Sequence, residues 1–374
     1  MDMRVTHQHS YPPRHLQQLL VEGEPVSWLS VVDHDMRIGS AVVRMGGIGG
    51  VFTPEAQRRK GYSRRVMEHS VWWMGENGYD ISMLFGIRDF YPKWGYISAL
   101  ASHKLTIATR NAARADAAYE TREWTDADAA AVLDIYADNN AARTCSVVRH
   151  PGEWRFFRKG SRFRQPVKCF VVAGDAGEVM AYAAYDDLAD AVNVSEVGAR
   201  SADAFGTLLA GCARLAQERG AEEISVFVPR DHPFAEYCRR YGCSATQDFP
   251  DDGAGMLRII RLSSLMGKIA PELERRLLDS PFGDYESSLR ITTDIGAVVL
   301  RLNGPLIELC SPETHAEHEV EVRQDVLTQL VVGYRSARDA LNDPRLSASS
   351  CEAAEVLDLL FPVGEPYIWL ADWF

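Results

Sequence analysis

The spacing of apolar and polar positions divides the chain into three stretches, each with its own order of elements. Across residues 20–53, LLVEGEPVSWLSVV and RIGSAVVRMGGIGGVF carry apolar runs separated by polar turns such as VDHDMR, which predicts an antiparallel meander. From Ser63 to Asn77 the period changes. Val66, Met67, Val71 and Met74 fall near one face of a helix, and Gly78 supplies its stop. A short apolar strand, ISMLFGI, follows, then the turn-rich RDFYPKWGY and a further strand, HKLTIAT.

After the Ala-rich linker NAARADAA (111–118) the same order begins again. YETREWTDADAAAVLDIYADNN predicts a strand, an N-cap near Thr125 or Asp126, and a helix. AFGTLLAGCARLAQERGAEEISVFVPRDHPFAEYCRRYGCSA then repeats helix, Gly, strand and turn, with Tyr237 opposite Tyr91 and Gly242 opposite Gly95. Two copies of one fold are the simplest account. From Ser263 a third stretch begins: SSLMGKIAPELERRLL is an amphipathic helix, SLRITTD, GAVVLRLNG and LIELC are strand candidates, and VEVRQDVLTQLVVGYRSARDAL predicts a strand leading into a helix. The expected class is α+β, with domains at 1–112, 113–262 and 263–374. The chain closes on the aromatic run PYIWLADWF, unusual for a segment that is normally polar and frayed.

Composition adds limits. A chain of 374 residues with 46% hydrophobic and 25% charged residues is globular, with two or three domains and a large core. Its net charge of −12 opposes nonspecific binding to nucleic acid or anionic membranes and mildly favours cationic partners such as amines. Seven scattered cysteines without a C-x-x-C pair suggest a reducing compartment, with neither a disulfide framework nor a metal site. MDMRVTHQHSYPP has no apolar leader pattern, and no run approaches the roughly 18 apolar residues of a membrane span, so a cytoplasmic location is the default expectation. The basic, aromatic stretch 153–168 predicts a solvated helix, not a nucleic-acid patch, and His7, His9 and His15 fall in an expected mobile tail. Asp126, Asp128 and Glu196 lack the spacing of a catalytic carboxylate pair.

The stretch GGVFTPEAQRRKGYSRRVMEHS carries the chemistry. A strand runs into Arg58-Arg59-Lys60-Gly61-Tyr62-Ser63 and a helix begins at once. Successive N–H groups at a helix start attract anions, the helix dipole adds to them, and Gly61 lets the backbone approach a phosphate closely. The alternative is a basic, solvated helix start. No P-loop is present, and GGIGG at 46–50 does not complete G-x-G-x-x-G.

Strand, R-x-x-G-x-[GAS], helix, strand and aromatic turn together resemble the coenzyme A motif of GNAT-superfamily N-acetyltransferases. RDFYPKWGYISA is similar to the YxxFGY turn of the Eis-type (enhanced intracellular survival) members, whose two GNAT domains and sterol-carrier-like C-terminal domain correspond to the three stretches. The resemblance implies that Val51, Phe52 and Thr53 bond the pantetheine arm and that Arg59, Lys60, Gly61, Tyr62, Ser63 and Arg64 hold the pyrophosphate. It further implies a notch for the cofactor near Gly86 and Ile87, Tyr91 as general acid, and the carboxylate of the last residue, Phe374, as general base. Tyr96 reads as packing. In the second copy SEVGARSADAFG stands where the loop should be, so that copy is expected to lack a cofactor site.

The implied activity is transfer of acetyl from acetyl-CoA, without a metal, to a primary amine such as an aminoglycoside, another cationic amine or a lysine. A homo-oligomer, a hexamer by the same resemblance, is the expected assembly. One departure stands out: members usually carry a strand and two helices ahead of the meander, which here starts about 17 residues from Met1. The alternative function is a lipid or small-molecule binder with vestigial acetyltransferase domains.

Overall fold

The computed structural model describes residues 3–10, 14–87, 89–154, 157, 160–162, 165–250, 252–281 and 283–374. The chain opens with β1 (Met3–Ser10), β2 (Arg14–Val21), β3 (Glu24–Ile38) and β4 (Ala41–Phe52), then α1 (Tyr62–Glu76), β5 (Ile81–Ile87), β6 (Ile97–Ser98) and β7 (Ser102–Ala108). The middle holds α2 (Thr109–Ala112), β8 (Glu120–Glu123), α3 (Ala129–Asn139), β9 (Val167–Ala173), β10 (Val179–Asp186) and β11 (Val192–Ala199). It continues through α4 (Ala204–Glu218), β12 (Glu223–Val226), α5 (Pro233–Arg239) and β13 (Cys243–Asp248). The remainder is β14 (Asp252–Ile259), α6 (Leu262–Leu278), β15 (Glu286–Thr293), β16 (Gly296–Asn303) and β17 (Leu306–Cys310), then β18 (His318–Val322), α7 (Gln324–Val331), α8 (Ala337–Ala340), β19 (Leu346–Ala348) and α9 (Cys351–Leu360).

Two seven-stranded sheets have the same plan: β1-β2-β3-β4-β5-β14-β6 and, in matching order, β8-β9-β10-β11-β12-β7-β13. Each contains a parallel pair at the same place, β4 with β5 and β11 with β12. The repeated element order read from the sequence is therefore repeated in topology. The sixth strand of each sheet is exchanged: β7 pairs with β12 and β13, whereas β14 pairs with β5 and β6. Hence HKLTIAT, expected to close the first domain, closes the second sheet. A third sheet runs β17-β16-β15-β18-β19, and the whole is a mixed α+β fold.

The described chain gathers into two compact units: Met1–Leu100 with Pro250–Pro366 and Phe374, and Ala101–Phe249 with Tyr367–Trp373. They are not contiguous segments and do not coincide with the divisions expected at 112 and 262. Within the first unit, α1 buries Val66, Met67 and Met74 against Leu29, Val31, Ile48 and Leu84. Each such side chain contributes on the order of 1.5–3 kcal/mol. On α6, the buried Glu272 accepts from Ser40 N (3.0 Å) and Ser40 Oγ (2.8 Å) in the β3–β4 turn and from Arg275 and Arg276. Burial alone would raise its pKa, but the hydrogen bonds from Arg275 and Ser40 outweigh it and hold the group at about 2.

Two expectations change here. The N-terminal residues are no mobile tail: Met3–Ser10 pairs along its length with Arg14–Val21 as β1. The helix predicted after VEVR stops at Val331, because Gly333 turns the chain at φ 74 and accepts the amide of Gly364. The basic stretch 153–168 lies partly outside the described residues.

Candidate active site

β4 and β5 pair in parallel through Met45–Ile81, Gly46–Ser82, Gly47–Met83 and Ile48–Leu84, and there the pairing ends. Both strands continue, β4 to Phe52 and β5 to Ile87, so their C-terminal ends part. β5 keeps its other neighbour, with Asp252 opposite Ile87. On the β3 side of β4 the register shifts between Trp28–Phe52 and Ser30–Gly49, a bulge that Gly50 permits at φ 63. Gly86 and Ile87 lie on the part of β5 beyond the last β4 pair.

A cleft of about 390 Å³ opens beside it, lined by Val51, Phe52, Thr53, Gln57, Arg58, Arg59, Gly61, Tyr62, Ser63, Ile87, Phe90 and Tyr91. Thr53 Oγ1 is fixed by Ser27 Oγ at 2.9 Å, and Arg58 Nε donates to Thr53 O at 3.2 Å. Gly61 is the N-cap of α1, at φ 79, and no side chain caps it. The first-turn amides of α1 therefore have no partner within the helix, and a Cβ built on Gly61 would meet nothing within 4 Å. Arg59 also has a left-handed backbone, φ 64, which a non-glycine residue adopts at a cost of about 1–2 kcal/mol. Alternating backbone hands turn successive N–H groups inward, an arrangement suited to an anion. Lys60 and Arg64 do not line the cleft, and Lys60 Nζ instead donates to Gln57 Oε1 at 2.9 Å. Arg58, the arginine that opens the R-x-x-G-x-S loop, lines the cleft, whereas Gln57 and Phe90 carry no signal in the sequence, because a cleft wall has no characteristic spacing.

Tyr91 leads a tight turn, Pro92–Trp94, ended by Gly95 at φ 78. Its ring is 5.0 Å from that of Phe90 and 6.2 Å from that of Trp94, and burial raises the phenol pKa above its ordinary value of 10.0. A Cβ on Gly86 would overlap the Tyr91 ring, which explains the glycine and its absence from the cleft wall. Tyr96 is fully buried, with its pKa pushed up to about 12 by burial, and donates to Ser82 Oγ at 2.7 Å, a packing role.

Phe374 lies on the other face of the same strands. Strand side chains alternate in direction. A Cβ on Gly46 would meet Met74 of α1, whereas a Cβ on Gly47 would lie 2.8 Å from ring atoms of Phe374. A Cβ on Gly49 would lie 3.0 Å from the carboxyl carbon of Phe374. The Phe374 ring is 5.4 Å from that of Phe85 and 5.5 Å from that of His34. The two residues assigned roles by resemblance thus flank consecutive residues of β5, Phe85 and Gly86, from opposite faces.

The aromatic tail before Phe374, Tyr367–Trp373, belongs to the second unit. Trp369 is buried there and donates from Nε1 to Asn140 Oδ1 at 2.8 Å, and the Tyr367 hydroxyl donates to Phe227 O at 2.8 Å. Asp372 accepts from Arg149 Nε at 2.8 Å, and the same guanidinium makes two 2.7 Å bonds to Glu196. Tyr136 and Tyr182 complete this buried cluster by donating to Asp372 and Glu196. Asp128 pairs with Arg122 at 2.7 Å within the capping box of Thr125. These carboxylates are structural.

In the second copy the linker packs on the start of α4. At the start of α4, Thr207 Oγ1 accepts from Ala118 N (3.0 Å) and Tyr119 N (3.1 Å), and a Cβ on Gly206 would collide with the Asp116 carbonyl. Among the described residues no group of His, Cys, Asp and Glu is arranged to hold a metal, and no helix is long and apolar enough to cross a membrane.

A profile of the acetyltransferase (GNAT) domain family matches residues 16–99, the stretch that contains the splay, the loop and Tyr91. None of the curated proteins matches the sequence. Among solved structures, a conserved Enterococcus faecalis protein described as a probable N-acyltransferase is similar over 100% of both chains, with 17% identity and a TM-score of 0.81. A GCN5-related N-acetyltransferase from Anabaena variabilis has 16% identity and a TM-score of 0.77, covering 96% of this chain and 89% of its own. An Eis protein from Mycobacterium abscessus has 18% identity and a TM-score of 0.65, covering 94% and 90%. At these identities the likeness is one of fold, and that fold spans nearly the whole chain.

Proposed function

We propose that this protein is an acyltransferase that moves acetyl from acetyl-CoA to an amine by direct attack in a ternary complex. The observation that supports it best is the pair at the splay: a buried tyrosine on one face of β5 and the chain's terminal carboxylate on the other, beside the gap where β4 and β5 part. A thioester entering that gap would have a proton donor on one side and a proton acceptor on the other. The open start of α1, with Arg58 and Arg59 around it, suits the pyrophosphate of the same substrate.

In the step, the amine nitrogen attacks the thioester carbonyl. A C–N bond forms, the C–S bond breaks, the Phe374 carboxylate takes the amine proton, and Tyr91 gives its proton to the leaving thiolate. Exchange with solvent restores both groups. A carboxylate is a weak base for an alkylammonium, so the acceptor is an amine that the site favours in its neutral form, or one deprotonated through water. Cationic amines, aminoglycosides among them, and lysine side chains are the candidate acceptors, and the net charge of −12 favours their approach. A sterol-carrier-like role for the third sheet and assembly as a homohexamer belong to the same reading by resemblance.

The test is thiol release from acetyl-CoA with a panel of amines. Tyr91→Phe, and separately a short C-terminal extension, should each lower turnover strongly. An extended protein as active as the native one would remove the carboxylate from the mechanism.

A further inference from the structure

The sequence MGGIGG puts four glycines into β4, an interior strand bonded on both sides, where each costs about 0.5–1 kcal/mol relative to alanine. Gly50 is accounted for by the bulge, and Gly46 by its closeness to Met74 of α1. Gly47 and Gly49 face the chain end. A methyl on Gly47 would come to 2.8 Å from Cδ1, Cδ2 and Cε1 of Phe374, and the rings of His34 and Phe85 leave that ring little room to slide. A methyl on Gly49 would come to 3.0 Å from the carboxyl carbon and 3.4 Å from its oxygen, closer than packed carbon atoms normally approach. Gly49 is also the first residue beyond the last β4–β5 pair, Ile48 with Leu84. The carboxyl group therefore rests where the strands begin to part.

We propose that Gly47 and Gly49 are positioning residues for the chain end, their missing side chains forming a seat that holds the Phe374 ring and sets its carboxylate at the mouth of the splay. The proposal rests on the reading of that carboxylate as the base. The ring fills the space over Gly47, and the carboxyl group lies over Gly49.

Two readouts on the full chain test it. The first is release of Phe374 by a carboxypeptidase that prefers aromatic C-termini; the second is steady-state turnover with acetyl-CoA. The native protein should resist release. Gly47→Ala and Gly49→Ala should each release Phe374 at least tenfold faster and lose about tenfold or more in kcat, with KM for acetyl-CoA within about twofold. Phe374→Ala placed on Gly47→Ala should return turnover to the level of Phe374→Ala alone, because the smaller side chain no longer needs the space. Should Gly47→Ala not fold, Gly49→Ala and this double variant carry the test. Unchanged release and turnover in both glycine variants, with an extended chain still inactive, would overturn the seat and leave the carboxylate reading standing. Faster release with unchanged turnover would overturn the carboxylate reading and the positioning role with it.

Discussion

The ring of Tyr91 occupies the space that a Cβ on Gly86 would need. The proposed acid is thus held by the absence of a side chain on the strand beneath it, and two substitutions follow. Tyr91→Phe keeps the packing and removes the proton, so kcat should fall about 10²–10⁴-fold with little change in melting temperature. Gly86→Ala keeps the proton but displaces the ring, and should lower kcat as well. In the proposed role Tyr91 works protonated, and burial raises its pKa above 10.0, so activity should persist through the mildly alkaline range. An alkaline limb of kcat/KM below pH 10 that disappears in Tyr91→Phe would contradict this.

The loop ahead of α1 separates stability from binding. Gly61→Ala places a Cβ at φ 79, with nothing nearby to clash, so its cost is backbone strain of about 1–2 kcal/mol. Arg59→Gly should do the reverse to the fold, relieving strain at φ 64, while removing a cation from the cleft. Thermal melts should therefore move in opposite directions for the two variants, while coenzyme A affinity measured by calorimetry weakens in both.

Coenzyme A should bind once per chain. The start of α4 is covered by residues 116–119, with Thr207 bonded to Ala118 and Tyr119. Isothermal titration should give a stoichiometry near one, and Gly61→Ala should weaken that single site. A second site of comparable affinity that survives the substitution would show that the linker opens.

Acid should loosen the second unit through His232. Its Nδ1 accepts the Phe234 amide at 3.2 Å, its ring is 5.7 Å from Trp369, and burial, with Arg143 adding, lowers its pKa to about 3. The unfolded chain takes up this proton near pH 6.5, whereas the folded one resists until about 3. Stability is therefore full above 6.5 and declines as pH falls toward 3, by at most about 1.4 kcal/mol per unit. Urea midpoints measured across that window should flatten in His232→Asn, which can still accept a hydrogen bond.

The strands and helices were legible in the sequence wherever local periodicity is their cause. ISMLFGI is β5 residue for residue, Thr125 caps as expected, and the loop from Arg58 to Ser63 leads into α1. Gly95 and Gly242, which correspond in the two copies, have φ values of 78 and 80. What stayed hidden was partnership. HKLTIAT is an apolar alternating strand whichever sheet it joins, so nothing in its residues predicts pairing with β12 and β13. GGIGG has no phosphate-motif spacing, and its contact with Phe374, more than 300 positions away in sequence, leaves no local signal. The tail was rightly marked as unusual, but its hydrogen bonds to Asn140 and Phe227 have no sequence signature.

The exchange of β7 and β14 has a consequence for the order in which the protein can be made. When the first hundred residues have left the ribosome, β5 still lacks its neighbour Asp252–Ile259, and its open edge is a template for wrong pairing. Some 150 further residues must be synthesised before that edge is covered. A chain interrupted before β14 has no complete first sheet, so its fragments carry an open strand edge in place of a fold.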